Sequence, residues 1–142
     1  MSLAKNVVNK MINGDAFSQW LGIKLVEVSE GYCKISMTIR DEMTNGFSIA
    51  HGGIAYSLAD SALAFAANSD GIQSLSIETS ISHTKKVQTG DVLTATTKEI
   101  NKSKKTSIYY ITITNQDNLE IAHFKGTVYR TEKEWFPKDK ES

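Results

Sequence analysis

Residues 52–68, GGIAYSLADSALAFAAN, are the one long apolar helical segment in a chain that otherwise reads as strands. Their alanine-rich composition favours helix. Ile54, Leu58, Ala62 and Phe65 recur at steps of four, four and three and so share one stripe. A helix with such a stripe must bury it, and the flanking sequence offers mainly strands to bury it against. Tyr32–Ile39 alternates Cys33, Ile35, Met37 and Ile39 with Lys34, Ser36 and Thr38, which predicts a half-buried strand. Lys24–Val28 reads as its hairpin partner through Ser29-Glu30-Gly31. Beyond the helix, Gln73–Thr84, Val92–Ile100, Thr106–Thr114 and Leu119–Arg130 read as strands, with turns at Thr89-Gly90-Asp91 and Asn115–Asn118. Upstream, Leu3, Val7, Val8 and Met11 predict a short amphipathic helix over 2–12, and Phe17, Trp20 and Leu21 a second turn. Two strands, one long helix and four more strands predict an α+β fold with the helix packed on an antiparallel sheet.

The remaining composition narrows the class. The 142 residues suit one domain, predicted over 1–131, followed by a charged, solvated tail over 132–142 that holds the only proline, Pro137. Sixteen Lys+Arg balance sixteen Asp+Glu, which argues against a nucleic-acid partner held by a basic face. The lone Cys33 excludes an internal disulfide framework and a zinc site of several thiolates, and its place in the alternating strand predicts burial. The N-terminus lacks the apolar run of a signal peptide, and no stretch has the length of a membrane span. The expectation is a cytoplasmic enzyme or binding protein with no membrane partner.

The chemistry concentrates in Asn45-Gly46-Phe47-Ser48-Ile49-Ala50-His51-Gly52-Gly53, which leads directly into the long helix. Asp60 is nearly the only charge between Gly53 and Asn68. A carboxylate in apolar surroundings has a raised pKa and is a candidate general base or nucleophile. Ser57 and Ser61 beside it support the other reading, an Asp on an exposed helix stripe. Gly52-Gly53 opens the helix, where unpaired N–H groups and the positive dipole end let a carbonyl oxygen approach the backbone. The other reading is a helix start that needs glycine for its backbone alone. Gly53 and Asp60 are seven residues apart, about 10 Å along the axis. A donor and a base acting on one carbonyl must both lie within about 3 Å of it. If both act, they come from two chains meeting at a two-fold interface.

The run Asn45–Gly71 resembles the hotdog-fold acyl-CoA thioesterases of the PaaI type, the phenylacetate-pathway thioesterases and their relatives. Asn45, the HGG that begins six positions on, and an Asp nine beyond its His carry the resemblance, with Leu21-Gly22-Ile23, Glu30-Gly31, Gly90-Asp91 and Asn115-Gln116 in support. The resemblance implies a long helix wrapped by a curved antiparallel sheet, a homodimer with a shared active site paired again into a homotetramer, and hydrolysis of an acyl-CoA. It implies Asp60 as the catalytic carboxylate and Gly52 N–H as the donor to the thioester carbonyl. Asn45 would position thioester or water, His51 would shape the loop, and Gly53 and Ser61 would be polar neighbours of the substrate.

The sequence departs from the family where relatives often carry a proline before Gly-Asp. Here it reads His83-Thr84-Lys85-Lys86-Val87-Gln88-Thr89-Gly90-Asp91. Lys85 and Lys86 either meet CoA phosphates or belong to a solvated loop, and Lys102, Lys104 and Lys105 carry the same two readings. Tyr56, Phe65, Met43, Phe47 and the first helix are candidate pocket walls, and they suit an aryl-acetyl or a medium-chain acyl group equally. No cofactor is expected. None of His51, His83 and His123 has metal-ligand spacing, and His83 and His123 read as strand residues without a special role. Two other classes stay open: a non-catalytic acyl-CoA-binding module, and an enoyl-CoA hydratase, whose Asp and His spacing is not found around His51.

Overall fold

In the computed structural model, which describes residues 2–137, the expected long helix is α3, Gly52–Asn68. Before it come α1 (Leu3–Asn13), α2 (Ala16–Leu21), β1 (Lys24–Ser29), β2 (Tyr32–Thr38) and a single 3-10 turn at Asp41–Met43. After it come β3 (Ile72–His83), β4 (Val92–Lys102), β5 (Thr106–Thr114) and β6 (Glu120–Glu134). The six strands form one antiparallel sheet in the order β1-β2-β4-β5-β6-β3, so β1 and β3 are its edges.

Register places the core. Cys33, Ile35 and Met37 of β2 alternate inward, as the period of two requires, and all three are buried. Ile35 pairs with Ala95, Ala95 with Ile113, and Ile113 with Ala122, giving a row of buried residues across the sheet. A second row runs through Thr97, Ile111 and Phe124. These rows meet the buried side of α3, where Ile54, Leu58, Ala62 and Phe65 lie as their spacing predicts. At Gly126 the helix comes so close that a Cβ would stand 2.5 Å from Leu63 Cδ2, so glycine is what lets β6 approach α3 there.

α3 ends in a polar knot. Asn68 Nδ2 donates to Ala64 O (2.8 Å) and Ser74 O (3.1 Å), and its Oδ1 accepts from Ser74 N–H (2.8 Å) and the Trp135 indole N–H (2.8 Å). Ordered structure runs past residue 131. β6 pairs with β3 as far as Glu134, Thr131 Oγ1 donates to Gln73 O, and Trp135 N–H donates to Gly71 O. Backbone groups with partners on β3 and an indole with an acceptor hold residues 132–135 on the fold despite their charged composition. Residues 138–142 of the expected tail lie outside the described residues.

Candidate active site

The loop before α3 is fixed by its own polar atoms. Asn45 Oδ1 accepts from Phe47 N–H (2.9 Å), Asn45 N–H donates to Ile49 O (2.8 Å), and Ser48 turns the chain with φ 60°. Two further bonds pin its end: Ala50 N–H to Val87 O (2.7 Å) and His51 N–H to Met43 O (2.8 Å). His51 is the N-cap of α3, and its Nδ1 accepts from Gly53 N–H (2.9 Å). A neutral His51 therefore carries its proton on Nε2. Ile54 N–H donates to His51 O. Among the described residues, Gly52 N–H is left without a partner. The same holds for Asn45 Nδ2.

Asn45 and Gly52 both line one cavity of about 370 Å³, with His51, His83, Lys85 and Lys86 among others. It has an unpaired N–H at a helix start, an amide donor, two imidazoles and two ammonium groups. Lys85 and Lys86 form no ion pair among the described residues. Such a site suits a carbonyl oxygen that takes up negative charge on a group attached to an anionic carrier.

His83 was not expected here. It pairs with Ala122 and so ends the inward row of Ile35, Ala95, Ile113 and Ala122. The row carries it to the start of α3, where its Nε2 would be 3.3 Å from a Cβ on Gly52. No sequence spacing links residues 51 and 83. Only strand register joins them.

Asp60 lies elsewhere on the chain. α3 exposes a half-buried stripe of Gly53, Tyr56, Ser57, Asp60, Ser61 and Ala64. Asp60 faces a separate cavity of about 260 Å³ with Met11, Leu63, Leu75, Val128 and Trp135 in its wall. Burial, joined by the charge of Asp15, pushes its pKa above the usual aspartate value. Asp15 caps α2, accepting from Ser18 N–H (2.9 Å) and Ser18 Oγ (2.6 Å). Ser61 Oγ joins this chain through Ser18 Oγ at 2.8 Å.

The other expected residues divide. Gly53 has its N–H occupied by His51 and lines a third cleft with Phe17 and Trp20. Tyr56 lines neither main cavity: its hydroxyl bonds Thr79 Oγ1 and its ring meets Phe124 edge-on at 5.5 Å. Phe65 and Met43 are buried core, whereas Phe47 is 85% exposed at the loop tip. His123, on β6, faces Glu120 at 3.1 Å.

One long helix laid on a six-stranded antiparallel sheet is the hotdog arrangement of thioesterases. The thioesterase superfamily profile matches residues 47–122, and the chain belongs to that family. In sequence it is 37% identical to the acyl-coenzyme A thioesterase PaaI of Escherichia coli over 120 residues, 84% of this chain and 86% of that one. The structure of the E. coli PaaI protein, from the phenylacetic acid degradation operon, superposes with a TM-score of 0.91 at 34% identity, over 93% of this chain and 96% of that one. A Streptococcus mutans protein solved bound to acetyl-CoA superposes at 0.76 with 25% identity, over 79% and 90% of the two chains.

Proposed function

We propose that this protein hydrolyses an acyl-CoA thioester to the free acid and CoA. The observation that carries the reading is the unpaired Gly52 N–H at the start of α3, opening onto a cavity rimmed by Lys85 and Lys86. The thioester carbonyl oxygen sits at that N–H and takes up negative charge as the carbonyl carbon is attacked. Asn45 Nδ2 is a second donor within the same cavity, and His51 holds the loop. The two lysines meet CoA phosphates. Asp60 either takes the proton of the attacking water or attacks the carbonyl carbon itself to form a mixed anhydride that water then opens. In both routes the C–S bond breaks and CoA leaves with its sulfur electrons. The PaaI relative, an acyl-coenzyme A thioesterase, supports the substrate class.

Within one protomer Asp60 and Gly52 face different cavities, so the working site joins Gly52 of one protomer to Asp60 of another. β3 supports the pairing. It is a sheet edge whose Leu75 and Ile77 are 69% and 61% exposed, an invitation to add a second strand. The resemblance to PaaI proteins extends this dimer to a homotetramer. The test is thiol release from aromatic and aliphatic acyl-CoA esters by wild type and Asp60→Asn. Turnover that collapses in the variant supports the reading. Tight ester binding with no thiol released would make the protein an acyl-CoA-binding module instead.

A further inference from the structure

We propose that the cavity beside Asp60 receives the hydrocarbon part of the acyl group and that Trp135 sets how long that group can be; this rests on the thioesterase reading above. Among the described residues, Asp60 is the only ionisable side chain in the cavity wall, and Met11, Leu63, Leu75, Val128 and Trp135 supply apolar surface. Asn68, Ser74 and Ser76 are the other polar side chains in the wall: Ser76 is exposed at its edge, Ser74 Oγ donates to Ile72 O (3.3 Å), and Asn68 has no atom to spare. Its Nδ2 is held by Ala64 O and Ser74 O, and its Oδ1 by Ser74 N–H and Trp135 Nε1–H. An acyl group that enters past the carboxylate therefore meets mainly hydrocarbon, with Ser74 and Ser76 the two hydroxyls in the wall. A distal carboxylate would lose water without meeting a cation among the described residues of the wall.

Trp135 is fastened by two hydrogen bonds of its own, and its neighbour by a third contact. Its indole N–H donates to Asn68, its backbone N–H to Gly71 O (2.9 Å), and the neighbouring Phe136 ring lies 5.0 Å from Lys10 Nζ on α1. A wall held in this way limits length rather than yielding to each ligand. Met11 and Trp135 both fall outside residues 47–122, the part shared with the superfamily. These two residues thus bring the flanks of the matched segment against Leu63, Asn68 and Leu75 from within it, so the length of the cavity can change without touching the helix or its loop.

The test titrates wild type, Trp135→Ala and Trp135→Phe with S-alkyl-CoA thioethers, butyl to hexadecyl, by calorimetry, and measures kcat/KM for the matching acyl-CoA esters. Wild-type affinity should rise with chain length and then stop. Trp135→Ala should carry the rise onward, gaining roughly tenfold for two further methylenes. Trp135→Phe, which keeps a ring but loses the bond to Asn68, should keep the wild-type limit. Butyl-CoA should bind all three alike. The same limit in wild type and Trp135→Ala, or an equal weakening at every length, overturns the proposal. Hydrolysis with an unmoved limit removes the role of Trp135 and leaves the thioesterase reading standing. A limit that moves without hydrolysis of any ester supports the pocket and removes the thioesterase reading.

Discussion

The imidazole of His83 lies against the Cα of Gly52, so that a Cβ there would approach Nε2 to 3.3 Å. The contact joins the end of β3 to the start of α3 at the unpaired N–H. We predict that Gly52→Ala moves His83 and lowers kcat/KM without lowering the melting temperature, since Ala is no worse a helix residue than Gly. Adding His83→Ala should give part of the activity back. Losses that simply add in the double variant would show that the contact has no bearing on the site.

Asp60 must be ionised to act in either role, and its pKa is raised by burial and by Asp15. The acid limb of kcat/KM should therefore lie above the ordinary aspartate value of about 3.9. Asp15→Asn removes the charge but keeps an N-cap for α2. It should shift that limb to lower pH. A limb that stays in place would remove Asp15 from the electrostatics of Asp60.

A raised carboxyl pKa also has a cost in stability. The folded state then holds the proton more tightly than the unfolded one, so stability falls as pH rises through the unfolded pKa toward the folded one. At neutral pH that stabilisation is gone. Asp60→Asn should accordingly melt slightly higher than wild type at pH 7 while losing turnover, and the difference in melting temperature should vanish in acid. Calorimetry at the two pH values checks it.

Asp70 behaves in the opposite sense. Burial alone would raise its pKa, but the hydrogen bond from Arg130 (2.6 Å), the Ile72 N–H and Lys102 (2.9 Å) outweigh it and hold the carboxyl below the usual range. Its contribution is full above the unfolded pKa and is lost as pH falls through the lowered folded one. Removing it leaves Arg130, 14% exposed and with Nε already unpartnered, without its counter-charge. Asp70→Ala should cost about 3 kcal/mol at pH 7. The gap to wild type in denaturant titrations should narrow on acidification.

The exposed edge of β3 makes a further claim. Ile77→Lys places a charge where a second β3 would pair, at a residue 61% exposed and outside both cavities. Light scattering should report a monomer, and thiol release should fall with the dimer. A fully active monomer would contradict the shared site.

The fold was readable because its signals are local. The α3 stripe and the alternation of β2 announce their own periods, and β5 has the bounds expected of it. His83 was not readable as a site residue, because its neighbour Gly52 is reached through a row of strand pairings that no spacing encodes. Trp135 was hidden in a charged segment, where composition argues for solvent but the indole bond, the Trp135 N–H bond to Gly71 O and the pairing of Glu134 with Ile72 hold the chain. Tyr56 had the chemistry of a pocket residue, yet Thr79 and Phe124 take up its hydroxyl and ring. Gly52 and Gly53 look alike in sequence. The His51 side chain separates them by occupying one N–H and leaving the other open.

The most direct measurement is thiol release from an acyl-CoA by a mixture of two inactive variants. Asp60→Asn lacks the carboxylate, and Gly52→Val fills the cavity at the helix start. Each should be inactive alone. Co-refolded, they form mixed dimers with one intact pairing of Gly52 and Asp60, and activity should return. Two inactive parents that stay inactive after subunit exchange, or an Asp60→Asn variant as fast as wild type, would contradict the account.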